Sequence, residues 1–209
     1  MNQVIVFCAD IGSIRKCNFA WARGIATGNG LTELYSKNDI HELVDAAAED
    51  LNAGASVAMG FECPLFVPIS EDPAMLTSAR EGEGNRAWCA GAGAGALATG
   101  LTETIWILKE LRKKIRIKVQ AFVNWSDFCG AGSGLFLWEA FVSGQAKEKD
   151  DLADAEKAVR SFTSVFPDIQ EANAISEPNV HSLIGAALLR TGWSTDLSLL
   201  EVPCVVIKA

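Results

Sequence analysis

Two acidic residues stand at the ends of apolar runs, where their carboxylates could bind a metal ion. Asp10 ends the run that starts at Val4, and Glu62 ends the run that starts at Ser56 and is stopped by Pro64. Apolar runs of this length, bounded by turn residues, predict buried strands. A carboxylate at a buried strand end is costly unless a cation, a hydrogen-bond cage or a basic partner compensates its charge.

Glu139 repeats this pattern inside a third apolar run, over 135–142. This run also predicts a strand that carries one acid among apolar neighbours. Each acid has a simpler explanation as well. Asp10 could cap the turn that follows it, and Glu139 could be exposed at a strand edge. Glu62 could form an ion pair with Arg80 or Arg86.

The elements that must position these acids follow one another in an order that predicts an α/β fold. Apolar runs over 4–10, 17–22 and 31–36 indicate an antiparallel meander, with a turn over 24–30. Asp39 is a good N-cap for a helix that ends near Gly54. The strand over 56–62 then pairs parallel to the first strand through a right-handed crossover. This topology places Glu62 beside Asp10 at one edge of the sheet.

The rest of the chain continues the mixed pattern. We expect helices over 97–114, 153–166 and 180–191, and strands over 115–123, 135–142 and 199–207. The 209 residues suit one domain over 1–209, in which about 65–118 is an insertion after the fourth strand. The predicted fold class is therefore a mixed β-sheet flanked by helices.

The stretch from residue 65 to about 100 lacks periodicity, and loops this long are usually functional or disordered. We interpret it as a functional loop that crosses the sheet edge and binds substrate. Arg80 and Arg86 could clamp a phosphate in bidentate fashion, and Trp88 could stack a base. Glu83 belongs to the same group, for which the alternative is a loop held by its own salt bridges. The Gly-Ala run after Trp88 matches neither a dinucleotide fingerprint nor a P-loop.

Composition limits the classes of function. The formal net charge of −8 argues mildly against non-specific nucleic-acid binding, although the segment 109–118 holds six of the 18 Lys and Arg residues. That segment could meet phosphates, or it could complement the dipole of a helix end. Six cysteines without a C-x-x-C pair, and only two histidines, disfavour a zinc site and indicate a reducing cytoplasm. The apolar runs are too short to span a membrane, and we expect no secretory signal.

Several short motifs resemble the RNase H-like superfamily, and more narrowly its branch of predicted RNase H-like nucleases, the DUF429-type proteins. The matching stretches are Asp10-Ile-Gly-Ser13 with the following strand through Trp21, Gly60-Phe-Glu-Cys-Pro-Leu65, Trp138-Glu139-Ala-Phe141 and Leu183-Ile-Gly-Ala-Ala187. The second stretch stands in place of an Asp-x-Pro-Leu segment in that branch. By order of elements, the resemblance spans most of the chain.

The resemblance implies that acids at the edge near the first and fourth strands hold divalent ions, Mg or Mn, that cleave phosphodiesters. Asp10 would bridge the metals, and Glu62 and Glu139 would complete the cage. The final helix of the family usually supplies another Asp, where this chain has His181 and Ser182. His181 could replace that acid as a ligand or general base, or it could mark lost activity.

Three functions remain open at this stage. The first is a metal-dependent nuclease or phosphohydrolase of RNase H-like type that acts on nucleic acid. The second is an actin-like nucleotide-binding remnant that places Asp10-Ile-Gly-Ser13 on phosphate, in which Ser13 is a substrate-binding residue. The third is a catalytically silent RNase H-like binding protein, which the acidic charge favours. The sequence leaves the oligomeric state open, with a homodimer as one option.

Overall fold

The computed structural model of the chain describes residues 1–84, 87–142 and 150–209. A seven-stranded mixed sheet forms its centre, in the order β3-β2-β1-β4-β7-β6, and β9 also pairs with β7. The strands of this sheet are β1 (Gln3–Asp10), β2 (Ala20–Thr27), β3 (Gly30–Lys37), β4 (Ser56–Phe61), β6 (Ala121–Phe122), β7 (Gly134–Phe141) and β9 (Val206–Lys208). A two-stranded antiparallel sheet joins β5 (Phe66–Pro68) to β8 (Val180–Ser182).

Five α-helices flank the sheet within the described residues. They are α1 (Ile40–Asn52), α2 (Gly91–Lys114), α3 (Trp125–Ala131), α4 (Asp151–Ser164) and α5 (Leu183–Thr191). No helix in these ranges is long and apolar enough to cross a membrane. The α/β class and the mixed sheet with flanking helices agree with the sequence-based prediction.

The predicted crossover is also confirmed. Strands β1, β2 and β3 form an antiparallel meander, and β4 pairs parallel to β1 after α1. The side chain of Asp39 accepts the backbone N–H groups of His41 and Glu42, as expected of a helix N-cap. The parallel ladder continues from β4 to β7. Strands β1, β4 and β7 therefore end at the same edge of the sheet.

Alternation along the strands divides the core into two layers. Phe7, Met59 and Leu137 belong to one apolar cluster, together with residues of α1, α2 and α5. Val6 and Ala58 belong to the other cluster, together with residues of α3 and α4. Because successive strand side chains point to opposite faces, each helix layer meets only one set of strand residues. This division decides which acids can meet.

Local chemistry explains where the elements depart from the predicted bounds. Gly24 lies inside β2, paired with Val6, and not in a turn; it is glycine because a Cβ at this position would stand 2.5 Å from Cδ1 of Leu31. The side chain of Ser182 accepts the backbone N–H of Gly185, so α5 begins at Leu183 and leaves His181 in β8. The predicted strand over 115–123 is reduced to β6 at 121–122, and α3 follows it. A 3-10 turn at 197–201 replaces the start of the predicted last strand.

Candidate metal centre

Asp10 and Glu62 come together because β1 and β4 are parallel neighbours in register. Ala9 pairs with Phe61, and the backbone N–H of Glu62 donates to the carbonyl of Ala9 at 2.8 Å. The next residue on each strand is the acid, and both acids leave the sheet on the same face. The expectation that these two carboxylates share one edge is therefore met.

The third acid of the group is Asp154 of α4. Asp10, Glu62 and Asp154 each offer a carboxylate oxygen, and these oxygens lie within 4.8 Å of one another. Helix α4 packs on the sheet face from which the two strand acids project, with Ala158 and Phe162 buried against it. Asp154 lies one turn before Ala158 on this face and is 2% exposed. The three carboxylates form a group that could hold a metal ion.

Our sequence reasoning missed Asp154, although a signal for it was present. The helix over 153–166 is amphipathic, and most of its charged residues are expected on the solvent face. Asp154, however, stands at helical spacing with the apolar positions Ala158 and Phe162. An acid on the buried face of an amphipathic helix requires a partner or a cation, and this makes it a candidate ligand.

The surroundings of the group suit a cation that prefers oxygen ligands. All three candidate ligands are carboxylates, the donors that hard divalent ions such as Mg²⁺ and Mn²⁺ prefer. Cys8 is the nearest inward residue of β1 on the same face. Burial and then the charges of Glu62 and Asp10 raise the pKa of its thiol well above the ordinary value. Because only the thiolate binds metals well, Cys8 does not compete as a ligand.

Glu139 lies at the same edge but on the other face of the sheet. It pairs in register with Phe61, so its side chain points away from the face that carries Glu62. Its carboxylate accepts hydrogen bonds from the backbone N–H of Leu65 at 2.9 Å and from Arg80 at 2.6 Å and 2.9 Å. Burial raises the pKa of Glu139, and the charge of Arg80 opposes that shift. Asp154, and not Glu139, is the third member of the carboxylate group.

Arg80 is the centre of a buried ion-pair network and does not face a substrate surface. Its guanidinium donates to Glu83, to Glu139 and to the carbonyl of Phe66, so that Nε, Nη1 and Nη2 are all engaged. The side chains of Arg80 and Glu83 are 0% and 1% exposed. A phosphate could reach Arg80 only by displacing a carboxylate. The alternative of a loop held by internal salt bridges describes this pair better than a phosphate clamp.

The other substrate-binding candidates also have structural roles. The indole N–H of Trp88 donates to the carbonyl of Ser78 at 2.9 Å, which ties the loop to itself. The carbonyl of Ser13 accepts the backbone N–H groups of Lys16 and Asn18, as a turn residue does. His181 is exposed in β8, opposite Val67. Arg86 lies outside the described residues.

A cavity of about 250 Å³ opens at this edge of the sheet. Four acids line it, and the first turns of α2 contribute small residues. The acids are Asp10, Glu62, Glu83 and Glu139. Within the described ranges, no Lys, Arg or His lines the cavity. Among the described residues, acids therefore dominate the lining of the cavity, and such a lining favours cations over anions.

The basic segment lies at the far end of α2 from this cavity. Thr99 lines the cavity, whereas Lys113 and Lys114 stand at the end of the helix, about 20 Å further along its axis at 1.5 Å per residue. Lys113 pairs with Glu110, and Lys114 pairs with Asp45. Arg112, Lys113 and Lys114 stand in the last turn of α2, where basic side chains complement the helix dipole.

Comparison of the chain with family models, with curated proteins and with solved structures gives no match.

Proposed function

We propose that the protein is a metal-dependent nuclease or phosphohydrolase of RNase H-like type that acts on nucleic acid. The observation that carries this proposal is the convergence of Asp10, Glu62 and Asp154, from two parallel strands and one helix, within 4.8 Å. The mixed sheet with flanking helices and the position of Asp10 and Glu62 near the ends of β1 and β4 are features that the resemblance implies, and they support the proposal.

In this proposal the three carboxylates hold Mg²⁺ or Mn²⁺. The bound ion supplies Lewis-acid chemistry, lowering the pKa of water and stabilising the oxygen of the leaving group. Asp10 and Asp154 are 5% and 2% exposed, so the sheet and α4 exclude most water from their side of the site. Because burial strengthens electrostatic interactions, a cation bound between these carboxylates would interact with them more strongly than it would in water.

The residues around the carboxylates hold the wall of the site in place. Arg80 fixes Glu139 and Glu83 at the cavity surface, and the N–H of Leu65 adds a further hydrogen bond to Glu139. These hydrogen bonds connect the chain after Glu62, at Leu65, to β7 and to the loop that carries Arg80. A bound cation would also favour an anionic phosphodiester, because the described lining of the cavity contains four acids and no Lys, Arg or His.

Cleavage assays test the proposal directly. Labelled single-stranded, duplex and branched DNA and RNA are incubated with the protein and Mg²⁺ or Mn²⁺, and with a chelator as control. We expect cation-dependent cleavage that Asp10→Asn abolishes. The exposed Asp127→Asn variant serves as a matched control and retains activity. Cleavage that persists in Asp10→Asn would contradict the proposal.

A catalytically silent binding protein is the second candidate, and the absence of basic side chains around the described cavity favours it. Thermal unfolding with Mn²⁺ separates the two. A rise in melting temperature without cleavage of any substrate supports a silent protein that still binds the ion. Binding of ATP without cleavage supports the nucleotide-binding remnant. If Mn²⁺ produces neither a thermal shift nor cleavage, the metal site itself is excluded.

A further inference from the structure

The cavity at the sheet edge is small compared with a nucleic-acid duplex. Asp10 and Glu62 line it, and Asp10 is only 5% exposed, so a phosphodiester has to enter the cavity to reach them. A cube of 250 Å³ has an edge of about 6 Å, whereas the major groove of B-DNA alone is about 12 Å wide. The cavity therefore has room for a phosphate with part of its nucleotide, but not for the width of a double helix.

Buried ion pairs hold one wall of this cavity. Glu83 and Glu139 both line it, and the guanidinium of Arg80 donates to them at 3.0 Å and 2.6 Å. The loop that carries Arg80 is also tied at its back, where the backbone N–H of Glu81 donates to the carboxylate of Glu177 at 2.6 Å. Because opening this wall would separate buried charges, the cavity does not widen there without a large cost.

The first turns of α2 form another wall, and two close approaches pack them against the rest of the fold. A Cβ at Gly93 would stand 2.4 Å from the carbonyl oxygen of Ala87. A Cβ at Gly100 would stand 2.4 Å from Sγ of Cys63, the residue after Glu62. The helix therefore lies directly against the chain segment that carries one of the candidate ligands.

Gly95 lines the cavity from the same helix, but close packing does not explain this glycine. It is exposed, and a Cβ there would meet no atom of residues 1–84, 87–142 and 150–209 within 4 Å. Glycine is the least favourable helix residue after proline, so its presence here has no benefit for the helix itself. Its effect is to leave open space beside the acids of the cavity.

We propose that the cavity takes an unpaired nucleic-acid strand and excludes a duplex, and that Gly95 leaves the space for that strand. This inference rests on the proposed function and specifies its substrate class. An unpaired strand bends freely and can direct one phosphate to Asp10 and Glu62, whereas a duplex is stiff over about 150 base pairs. Enzymes that cannot reach their target within a duplex act on single strands or first separate the bases.

Fluorescence anisotropy in the presence of Ca²⁺ tests the strand preference without requiring cleavage. The probe is a fluorescein-labelled DNA oligonucleotide, either free or annealed to its complement, and Ca²⁺ binds carboxylate oxygens as Mg²⁺ does. We expect the protein to bind the single strand about tenfold or more tightly than the duplex, because the duplex first has to unpair. Equal affinities, tighter binding of the duplex or no binding of the single strand overturns the inference.

Gly95→Leu tests whether the strand binds in the cavity. Leucine favours a helix, and its side chain would occupy the open space, so we expect single-strand affinity to fall by about tenfold or more. Mn²⁺ should still raise the melting temperature as in the wild type, because Gly95 is not a ligand. Gly130→Leu is the matched control, since Gly130 is exposed in α3 and a Cβ there also meets no described atom within 4 Å. Unchanged strand affinity in Gly95→Leu, or loss of its Mn²⁺ response, overturns the role of Gly95.

Cleavage of the same oligonucleotides with Mn²⁺ distinguishes this inference from the proposed function. Selective binding and cleavage of the single strand support both. Selective binding without cleavage contradicts a nuclease but supports the strand preference of the cavity. Cleavage of the duplex as fast as the single strand supports the nuclease and overturns the strand preference.

Discussion

Glu62 and Glu139 leave the sheet on opposite faces, although they stand at the same edge. Phe61 of β4 pairs in register with Glu139 of β7, so Glu62 stands one residue beyond the position that pairs with Glu139. A shift of one residue moves a strand side chain to the other face of the sheet. Glu62 consequently meets Asp10 and α4, whereas Glu139 meets Arg80 beneath the loop that follows β5. One edge of the sheet thus carries two acidic groups with different roles.

Asp154→Asn should remove the stabilisation that Mn²⁺ gives to the folded protein. Mn²⁺ at about 100 times its Kd stabilises the folded wild type by about 2.7 kcal/mol, since the ion binds only the folded chain. The Asn variant keeps the shape of the side chain but loses one of three charges within 4.8 Å. Thermal unfolding with and without Mn²⁺ measures the effect, and Asp127→Asn serves as the control. A full Mn²⁺ response in Asp154→Asn would exclude Asp154 as a ligand.

Arg80→Met should destabilise the fold strongly. The variant leaves Glu139 and Glu83 buried without their cation, and breaking a buried ion pair in this way costs about 3–5 kcal/mol. Urea unfolding measures the loss. Arg160→Met is the matched control, because Arg160 is 62% exposed and pairs with Glu156 at 3.7 Å. Adding Glu139→Gln to Arg80→Met should recover part of the stability. A cost below that of the control would contradict a structural role for the network.

The sequence was sufficient to predict β1, α1, β4 and their crossover, because each has a clear period and clear terminal residues. Asp39 caps α1, and Pro64 follows the end of β4. Those elements alone bring Asp10 and Glu62 together. Local patterns and the rule of right-handed crossovers between parallel strands were therefore enough to predict that these two acids lie together.

The rest of the site depends on pairing that a single sequence does not show. The apolar run over 135–142, which contains one acid, predicts strand β7. It does not predict how β7 pairs with β4, and this register decides on which face of the sheet Glu139 lies. The place of α4 on the sheet was also undetermined, so Asp154 was not chosen. His181 was assigned to a helix because its cap, Ser182, was not recognised. The first two failures share one cause, which is that long-range pairing and packing are not visible in a single sequence. The third is different, because the cap at Ser182 is a local signal.

Gly60→Ala should destabilise the protein although the change adds only one methyl group. The ring of Trp138 lies over Gly60, and a Cβ there would stand 2.4 Å from Cε2 and Cζ2. Trp138 is 0% exposed and packs against Phe162 at 4.8 Å between ring centroids, so it has no free space to move into. We expect a loss of about 1–3 kcal/mol, the usual cost of an overpacked core.

Urea unfolding measures this loss, with Gly28→Ala as the control. A Cβ at Gly28 meets nothing within 4 Å, so that variant should keep wild-type stability. Because Gly60 lies two residues before Glu62, Mn²⁺ affinity of Gly60→Ala should fall as well. Equal stability of the two alanine variants would contradict the close packing of Trp138 on β4.

The stability of the metal-free protein should fall between about pH 4.5 and pH 7, in part because of Glu103. Burial raises the pKa of this carboxyl from 4.5 to about 7. In that interval the folded protein keeps a proton on Glu103 that the unfolded chain has released, so rising pH favours the unfolded state. Above pH 7 both states are ionised and the effect of Glu103 levels off. Glu103→Gln lacks this contribution and should lose less stability over the same interval.

Urea unfolding at pH 5 and pH 8, in the presence of a chelator, compares the wild type with Glu103→Gln. Glu110→Gln is the control, since Lys113 lowers the pKa of Glu110 and this carboxyl is therefore ionised in both the folded and the unfolded state between pH 5 and pH 8. Identical pH dependence in the wild type and in Glu103→Gln would show that Glu103 is ionised throughout the interval. If the free energy of unfolding falls less in Glu103→Gln than in the wild type, Glu103 is protonated in the metal-free folded protein at pH 5 and loses that proton near pH 7.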